Sequence, residues 1–194
     1  MEDLRERIAA RYREPHRRYH DLRHLGEVLE AVDLLAAEAA DLEVVRWAAW
    51  FHDAVYEPAA DDNEERSALL ATEELAAYDV DPAAVRDVAR LVRLTASHDP
   101  APGDPDGAVL CDADLAVLAA APARYAAYAH DVRVEYAHVD DLAFATGRAD
   151  VLSSLLARDA LYRTRTGHRL WDDRARGNVS AELARLRASA HPGV

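Results

Sequence analysis

The chain has 194 residues, 23 of them basic and 36 acidic, so its formal charge is −13 at pH 7. Its length favours one domain over residues 1–194, with a core from about residue 12 to residue 178. The acidic charge argues against long nucleic acids and anionic membranes as partners, because binding to either relies on basic side chains. A small phosphorylated ligand is still compatible, since a bound metal or a local basic pocket can override the overall charge.

Cysteine content and hydropathy exclude further classes of protein. The single cysteine, Cys111, rules out an internal disulfide and a thiolate zinc cluster. No apolar run approaches the roughly 20 residues that span a bilayer. Residues 1–6 are too charged for a secretory signal. We therefore expect a cytoplasmic protein. A homo-oligomer is compatible with the sequence.

Apolar residues recur every three to four positions along almost the whole chain, which is the spacing of amphipathic helices. Residues 44–51 are apolar nearly all round and predict a helix buried in the centre of a bundle. Proline after a capping position marks two other helix starts. Helices are predicted at residues 22–35, at 44–51, from Pro82, from Pro122, over 140–156 and over 179–190.

Two breaks interrupt this pattern, at residues 57–63 and 100–107, where proline, glycine, aspartate and asparagine cluster. Neither resembles a long interdomain linker, and residues 190–194 are predicted to be a frayed tail. No segment shows the alternation of a β-strand. The predicted fold class is therefore an all-α helical bundle.

The pair His52-Asp53 directly follows the apolar run 44–51. Burying such a pair is costly unless its polar atoms are satisfied. His-Asp also occurs at residues 98–99 and 130–131, but only the first copy follows a nearly all-apolar helix. This context makes His52 and Asp53 candidates for a functional site.

Other histidines and aspartates have a spacing that suits metal binding. His20 and His24 lie four residues apart on one helix face, and Asp112 and Asp114 are placed at the start of a further apolar helix. Two neutral imidazoles and two carboxylates together carry a charge of −2, which balances a divalent ion. Mixed nitrogen and oxygen donors suit Mn, Fe, Co, Ni or Zn better than calcium.

Taken together, these segments resemble the HD superfamily of metal-dependent phosphohydrolases, and in particular a largely uncharacterised subgroup of about two hundred residues. The resemblance runs from about Tyr12 to Asn178 and implies an all-α HD-type bundle. It is carried by the segments YHDLRHL at 19–25, WFHDAVY at 50–56, NEERSA at 63–68 and DADL at 112–115.

Four metal ligands are implied by this resemblance: His24, His52, Asp53 and Asp114. His20 and Asp112 are alternatives, since either could replace its neighbour or hold a ligand in place from behind. The implied cofactor is a divalent ion, one of Mn, Co, Ni, Mg, Fe or Zn.

Further roles follow from the resemblance, each with a structural alternative. Asp53 and Glu64 are the expected catalytic residues, with Glu64 as a general base; Glu64 could instead be an ordinary acidic residue after an Asn63 N-cap. His98 is expected to continue the apolar face of its helix, and to hold substrate phosphate or a second metal. The alternative is a histidine at a helix terminus.

Arginines and one histidine near these segments are expected to bind the substrate. Arg18, Arg23 and Arg66 could offer paired donors to a phosphate, and His20 is a further candidate for binding the substrate. The alternative for each arginine is an exposed ion pair with one of the many carboxylates.

The function implied is hydrolysis of a small phosphorylated substrate, such as a nucleotide, by a metal-activated water. Two other functions remain open. One is a non-catalytic module that binds metal or nucleotide, and the other is an oxygenase-like enzyme with a di-iron site.

Overall fold

The computed structural model describes residues 1–190, and the regular structure in that range is helical, without a β-strand. The all-α prediction is therefore confirmed. Two short 3-10 helices, Ala36–Glu38 and Leu115–Ala119, follow α2 and α6. The helices are α1 Glu2–Arg11, α2 Leu22–Leu35, α3 Leu42–Phe51, α4 Asn63–Ala76, α5 Pro82–Leu94, α6 Pro105–Asp114, α7 Pro122–Glu135, α8 Asp141–Leu156 and α9 Arg165–Ala190.

Most helices begin at an aspartate that caps exposed backbone N–H groups. The Asp21 carboxylate accepts from the N–H groups of Arg23 and His24 at the start of α2. Aspartates at 41, 81, 104 and 140 cap α3, α5, α6 and α8 in the same way. These local signals explain why the predicted starts of α2, α5 and α8 agree with the structure, whereas α7 begins at Pro122 without a side-chain cap.

Helix α3 lies in the centre of the larger of two hydrophobic clusters. Val45, Ala48 and Phe51 are fully buried, and α3 packs against α2, α5 and α6. The second cluster is formed mainly by α7, α8 and α9, and Trp171 packs against both clusters. The C-terminal end of α3 therefore delivers His52 and Asp53 to the interior of the protein.

The prediction for residues 100–115 was wrong in one respect. Helix α6 begins at Pro105, inside the predicted loop, because Asp104 caps it by accepting the N–H of Gly107 at 3.0 Å. Asp112 and Asp114 consequently lie at the end of this helix and not at its start.

The last helix is longer than its apolar pattern predicts, since α9 begins at Arg165 rather than Val179. Its start is capped by Thr164, whose hydroxyl accepts the N–H of Gly167 at 2.9 Å. Only a narrow stripe that includes Ala175 and Val179 is buried, and the charged residues around it obscure the helical spacing of the apolar residues in the sequence. Residues 191–194 of the predicted frayed tail lie outside the described residues.

Two more features differ from the sequence pattern. Helix α1 was not predicted, and it buries Leu4 and Ile8 in the larger cluster. Asn63 does not cap α4; it is the first helical residue, and its amide bonds both the backbone N–H and the carbonyl of Glu57 at 2.9 Å. None of the helices in residues 1–190 has the length and apolar character to cross a bilayer.

Candidate metal centre

Four side chains from three distant segments of the chain meet at the centre of the bundle: His24, His52, Asp53 and Asp114, which we call the donor group. The two histidine Nε2 atoms lie 3.0 Å apart. Asp53 Oδ2 lies 3.1 Å from Nε2 of His52 and 3.4 Å from Nε2 of His24. Asp114 Oδ1 lies 3.6 Å and 3.2 Å from the same two atoms. The structure therefore brings together all four residues that the resemblance implies as ligands.

Each member of the donor group is placed by the end of a helix. His24 lies in the first turn of α2, and its N–H donates to the capping carboxylate of Asp21. His52 ends α3 and Asp53 begins the turn that follows, where the Asp53 N–H donates to the Tyr12 hydroxyl at 3.3 Å. Asp114 is the last residue of α6. Side chains at helix ends can converge on one point because their backbones do not continue past it.

The tautomer of His52 suits coordination of a cation. Its Nδ1 lies 2.8 Å from the carbonyl oxygen of Ala49, which can only accept, so Nδ1 carries the proton and donates. Its Nε2 then presents a lone pair to the donor group. Hydrogen bonding of the remote nitrogen in this way is usual for metal-ligating histidines.

The charges of the donor group are strongly coupled. Burial lowers the pKa of His24, but hydrogen bonds to Asp114 and Asp53 outweigh burial and raise that pKa to about 10. The pKa of His52 is also raised, since the attraction of Asp53 and Asp114 exceeds the effect of burial. Burial raises the pKa values of Asp53 and Asp114, but the nearby histidines outweigh burial and hold the pKa of each carboxyl well below its usual range.

A divalent cation fits this donor set. His24, His52 and Asp114 each offer one ligand atom, and these atoms lie within 4.8 Å of one another. Atoms that lie about 2.0–2.2 Å from one ion are about 2.8–3.6 Å apart at octahedral or tetrahedral angles. The measured separations fall in that range, and two imidazoles with two carboxylates balance a charge of +2.

A cavity of about 420 Å³ opens onto the donor group. Asp53 and Asp114 form part of its wall, together with Glu64, His20 and His98. No hydrogen bond or ion pair engages the Glu64 carboxylate among the described residues. Four tyrosines complete much of the wall of this cavity, which we call the cleft: Tyr19, Tyr56, Tyr128 and Tyr136.

His98 reaches the cleft from a different position than its helical spacing predicts. Helix α5 ends at Leu94, and His98 lies beyond it in the left-handed region with φ at 48°. Its Nε2 lies 2.7 Å from Oδ2 of Asp114, the carboxylate oxygen that faces away from the two histidines of the donor group. His98 is thus placed to orient Asp114.

Glu135 organises the segment before α2 and keeps His20 out of the donor group. Its Oε1 accepts from the N–H groups of Arg18, Tyr19 and His20 at 2.7–3.0 Å. Its Oε2 lies 2.6 Å from Nδ1 of His20 and accepts from the Tyr56 hydroxyl at 2.9 Å. Burial opposes ionisation, but the bonds to His20 prevail and lower the pKa of Glu135 to about 2.

Arg17 ties the same segment to the turn that carries Asp53. Its guanidinium is buried and donates to the carbonyl oxygens of His20, Asp53 and Ala54 at 2.7–3.3 Å. The sequence indicated neither this role nor that of Glu135, because both depend on partners that are far away along the chain.

Asp112 and Asp114, two residues apart, have separate roles. Asp112 is buried and accepts from the N–H groups of Arg163 and Thr164 and from the Thr164 hydroxyl, all at 2.7–2.8 Å. Burial raises the pKa of Asp112. Asp112 therefore secures the start of α9, and the geometry favours Asp114 as the member of the donor group.

The arginines expected to bind phosphate do not line the cleft. Arg18, Arg23 and Arg66 are exposed. The side chain of Arg23 bonds Glu27 at 3.1 Å, and that of Arg66 lies 3.7 Å from Asp62, each four residues away on the helix surface. Local pairing of this kind satisfies their charge without reaching the cleft.

A different arginine lies near the donor group. Arg124, on α7, lines a second cavity of about 220 Å³ that His24 and Asp114 also line. It donates two bonds to the Glu27 carboxylate at 2.6 Å and 2.7 Å. No signal in the sequence distinguished Arg124 from the other arginines of the chain.

Comparison with known proteins provides one structural relative. No family model and no curated protein matches the sequence. The crystal structure of Bacillus subtilis YpgQ in complex with ADP is similar over 97% of this chain and 98% of that one, with a TM-score of 0.61 and 22% identity. The likeness shows that the two chains share a fold.

Proposed function

We propose that this protein is a metal-dependent phosphohydrolase of the HD type, which cleaves a small phosphorylated substrate such as a nucleotide. The observation that carries the proposal is the donor group: two imidazole nitrogens lie 3.0 Å apart, and an oxygen of each of two carboxylates that line the cleft lies 3.1–3.6 Å from both nitrogens. The sequence motifs that resemble those of HD phosphohydrolases contain all four residues.

A nucleotide is the favoured class of substrate for two reasons. The related YpgQ structure is a complex with ADP, so a chain of this fold can hold a nucleoside diphosphate. The cleft of about 420 Å³ also has four tyrosines in its wall, and aromatic rings offer stacking surfaces to a base. Among the described residues no arginine lines this wall, so His20 and His98 are the basic side chains placed to meet phosphate charge beside the ion.

The proposed mechanism assigns separate tasks to the ion and to the side chains. A bound divalent ion supplies Lewis acidity toward a phosphoryl oxygen and lowers the pKa of a water molecule. His52 keeps its lone pair toward the ion through its bond to Ala49. Glu64 accepts the proton of the attacking water, since its carboxylate lines the cleft and is not committed to another side chain.

The test combines removal of the metal with one substitution. Protein stripped of metal by a chelator should not hydrolyse nucleotides or phosphomonoesters, and Mn, Co, Ni or Mg should restore the activity. Asp53→Ala should lose both metal and activity while its helical circular dichroism stays unchanged, because alanine offers no ligand atom.

A matched control is Asp150→Ala, which removes an exposed carboxylate on α8 and should leave metal content and activity intact. A fully metallated wild-type protein that turns over no phosphoester in such a screen would contradict the proposal. If that protein still bound ADP, the result would favour a non-catalytic binding module.

A further inference from the structure

Tyr19 differs from the other buried tyrosines in the state of its hydroxyl. Its side chain is 5% exposed, yet the hydroxyl has no hydrogen-bond partner within residues 1–190. Other buried phenols are satisfied inside the protein: Tyr12 donates to the Trp50 carbonyl, Tyr56 to Glu135, Tyr125 to Glu182 and Tyr162 to the Leu115 carbonyl. The Tyr19 hydroxyl is therefore free to bond water or a ligand, whereas the other buried phenols are already committed to protein partners.

Tyr19 is part of the wall of the cleft, and its hydroxyl is accessible. Among the described residues, no side-chain oxygen is both fully buried and without a partner, so this hydroxyl must keep contact with open space. The open space that Tyr19 lines is the cleft, where it shares the wall with Asp53 and Asp114 of the donor group.

The ring of Tyr19 is held on several sides. Ring centroids of His24 and Tyr128 lie 4.6 Å from it, and that of His20 lies 4.8 Å away. The Arg124 guanidinium lies 5.7 Å from its centroid. The Tyr19 N–H also donates to Glu135 at 2.8 Å. These contacts fix the direction of the hydroxyl before any ligand arrives, which reduces the entropy lost on binding.

We infer that the Tyr19 hydroxyl donates a hydrogen bond to an anionic oxygen of the ligand that occupies the cleft. A phenol is protonated at neutral pH and so presents a donor. The carboxylates of Asp53 and Asp114 in the same wall can only accept when ionised, so they offer no hydrogen bond to a phosphate oxygen. Tyr19 therefore supplies a donor where an incoming phosphate needs one. The inference rests on the proposed function only in placing a phosphate oxygen at the donor group.

The substitution Tyr19→Phe tests this contact, because it removes the hydroxyl and keeps the ring. The probe is ADP, titrated calorimetrically into Mn-loaded wild-type and variant protein. We expect the Kd for ADP to rise about tenfold or more, the effect of losing a hydrogen bond to a charged oxygen. Metal content should be unchanged, and Tm should not fall, since no bond inside the protein is lost.

The matched control is Tyr125→Phe, which makes the same change in a buried tyrosine that does not line the cleft. Its hydroxyl donates to Glu182 at 2.5 Å. This variant should melt at a lower temperature and bind ADP with wild-type affinity, which is the opposite pattern to Tyr19→Phe.

Three results would overturn the inference: an unchanged Kd in Tyr19→Phe, an affinity loss accompanied by lower Tm or metal content, or no binding of ADP to the Mn-loaded wild-type protein. A wild-type protein that binds ADP without hydrolysing any phosphoester would contradict the proposed function instead. In that case the comparison of Kd values still decides the role of Tyr19.

Discussion

The Nε2 atoms of His24 and His52 lie 3.0 Å apart, although 28 positions of sequence separate the two residues. Because Nδ1 of His52 carries its proton toward Ala49, the His52 lone pair points at His24. Two imidazole nitrogens this close need a proton or a cation between them. Asp53 and Asp114 stabilise either a proton or a metal ion at this position, so the two compete for it.

Metal binding should release a proton from His24 at weakly alkaline pH. The pKa of His24 is raised to about 10 in the metal-free protein, so His24 is protonated at pH 8 and must lose that proton to become a ligand. Below pH 10, the apparent metal affinity should therefore increase with pH. Calorimetric titration at pH 8 in buffers of different ionisation enthalpy should detect release of about one proton or more; release of none would contradict the prediction.

The two aspartates at the end of α6 should respond differently to the same substitution. Asp114→Asn should weaken metal binding at least tenfold, because it removes a charged donor. Asp112→Asn should retain the metal but lower the free energy of unfolding by about 1–3 kcal/mol, since it disturbs three bonds at the start of α9. Elemental analysis and urea unfolding measure the two effects. Loss of metal in Asp112→Asn alone would reverse our assignment.

Glu64→Gln should lower kcat about 10²–10⁴-fold with metal content unchanged, as expected when a proton acceptor is removed. The neighbouring Glu65→Gln is the matched control. Glu65 is exposed and bonds Arg93, so its substitution should change stability by only a few tenths of a kcal/mol. Steady-state kinetics on the substrate found by screening decide the matter, and equal kcat values for the two variants would refute a catalytic Glu64.

Glu135 should make stability depend on pH in the acid range. Its pKa falls from 4.5 to about 2 on folding, so its contribution is complete above pH 4.5 and is lost as the pH falls toward 2. The difference in unfolding free energy between wild type and Glu135→Gln should therefore shrink by up to about 3 kcal/mol from pH 6 to pH 2. Urea unfolding along this series measures it. A difference that is constant with pH would show that the carboxylate is not stabilised by folding.

Several helices could be predicted because their signals are local. Asp21, Asp81 and Asp140 bond backbone groups within three residues of themselves, so the sequence around each one is enough to mark a helix start. The start of α9 depends partly on Glu38, whose carboxylate accepts from the N–H groups of Arg165 and Thr166 across the fold. No pattern near residue 165 contains that information.

The features of the candidate site were likewise predictable from the sequence only where they depend on local signals. By itself the sequence determined the helical periodicity, the apolar run that carries His52 and Asp53 inward, and motifs that contain every member of the donor group. Only the tertiary structure placed Asp114 beside the two histidines and Asp112 at the start of α9, paired Arg23 and Arg66 on the surface, and put Tyr19 in the wall of the cleft. Periodicity specifies which side of a helix is buried, whereas the partner of a buried polar atom depends on how distant helices pack, and that is settled only when the chain folds.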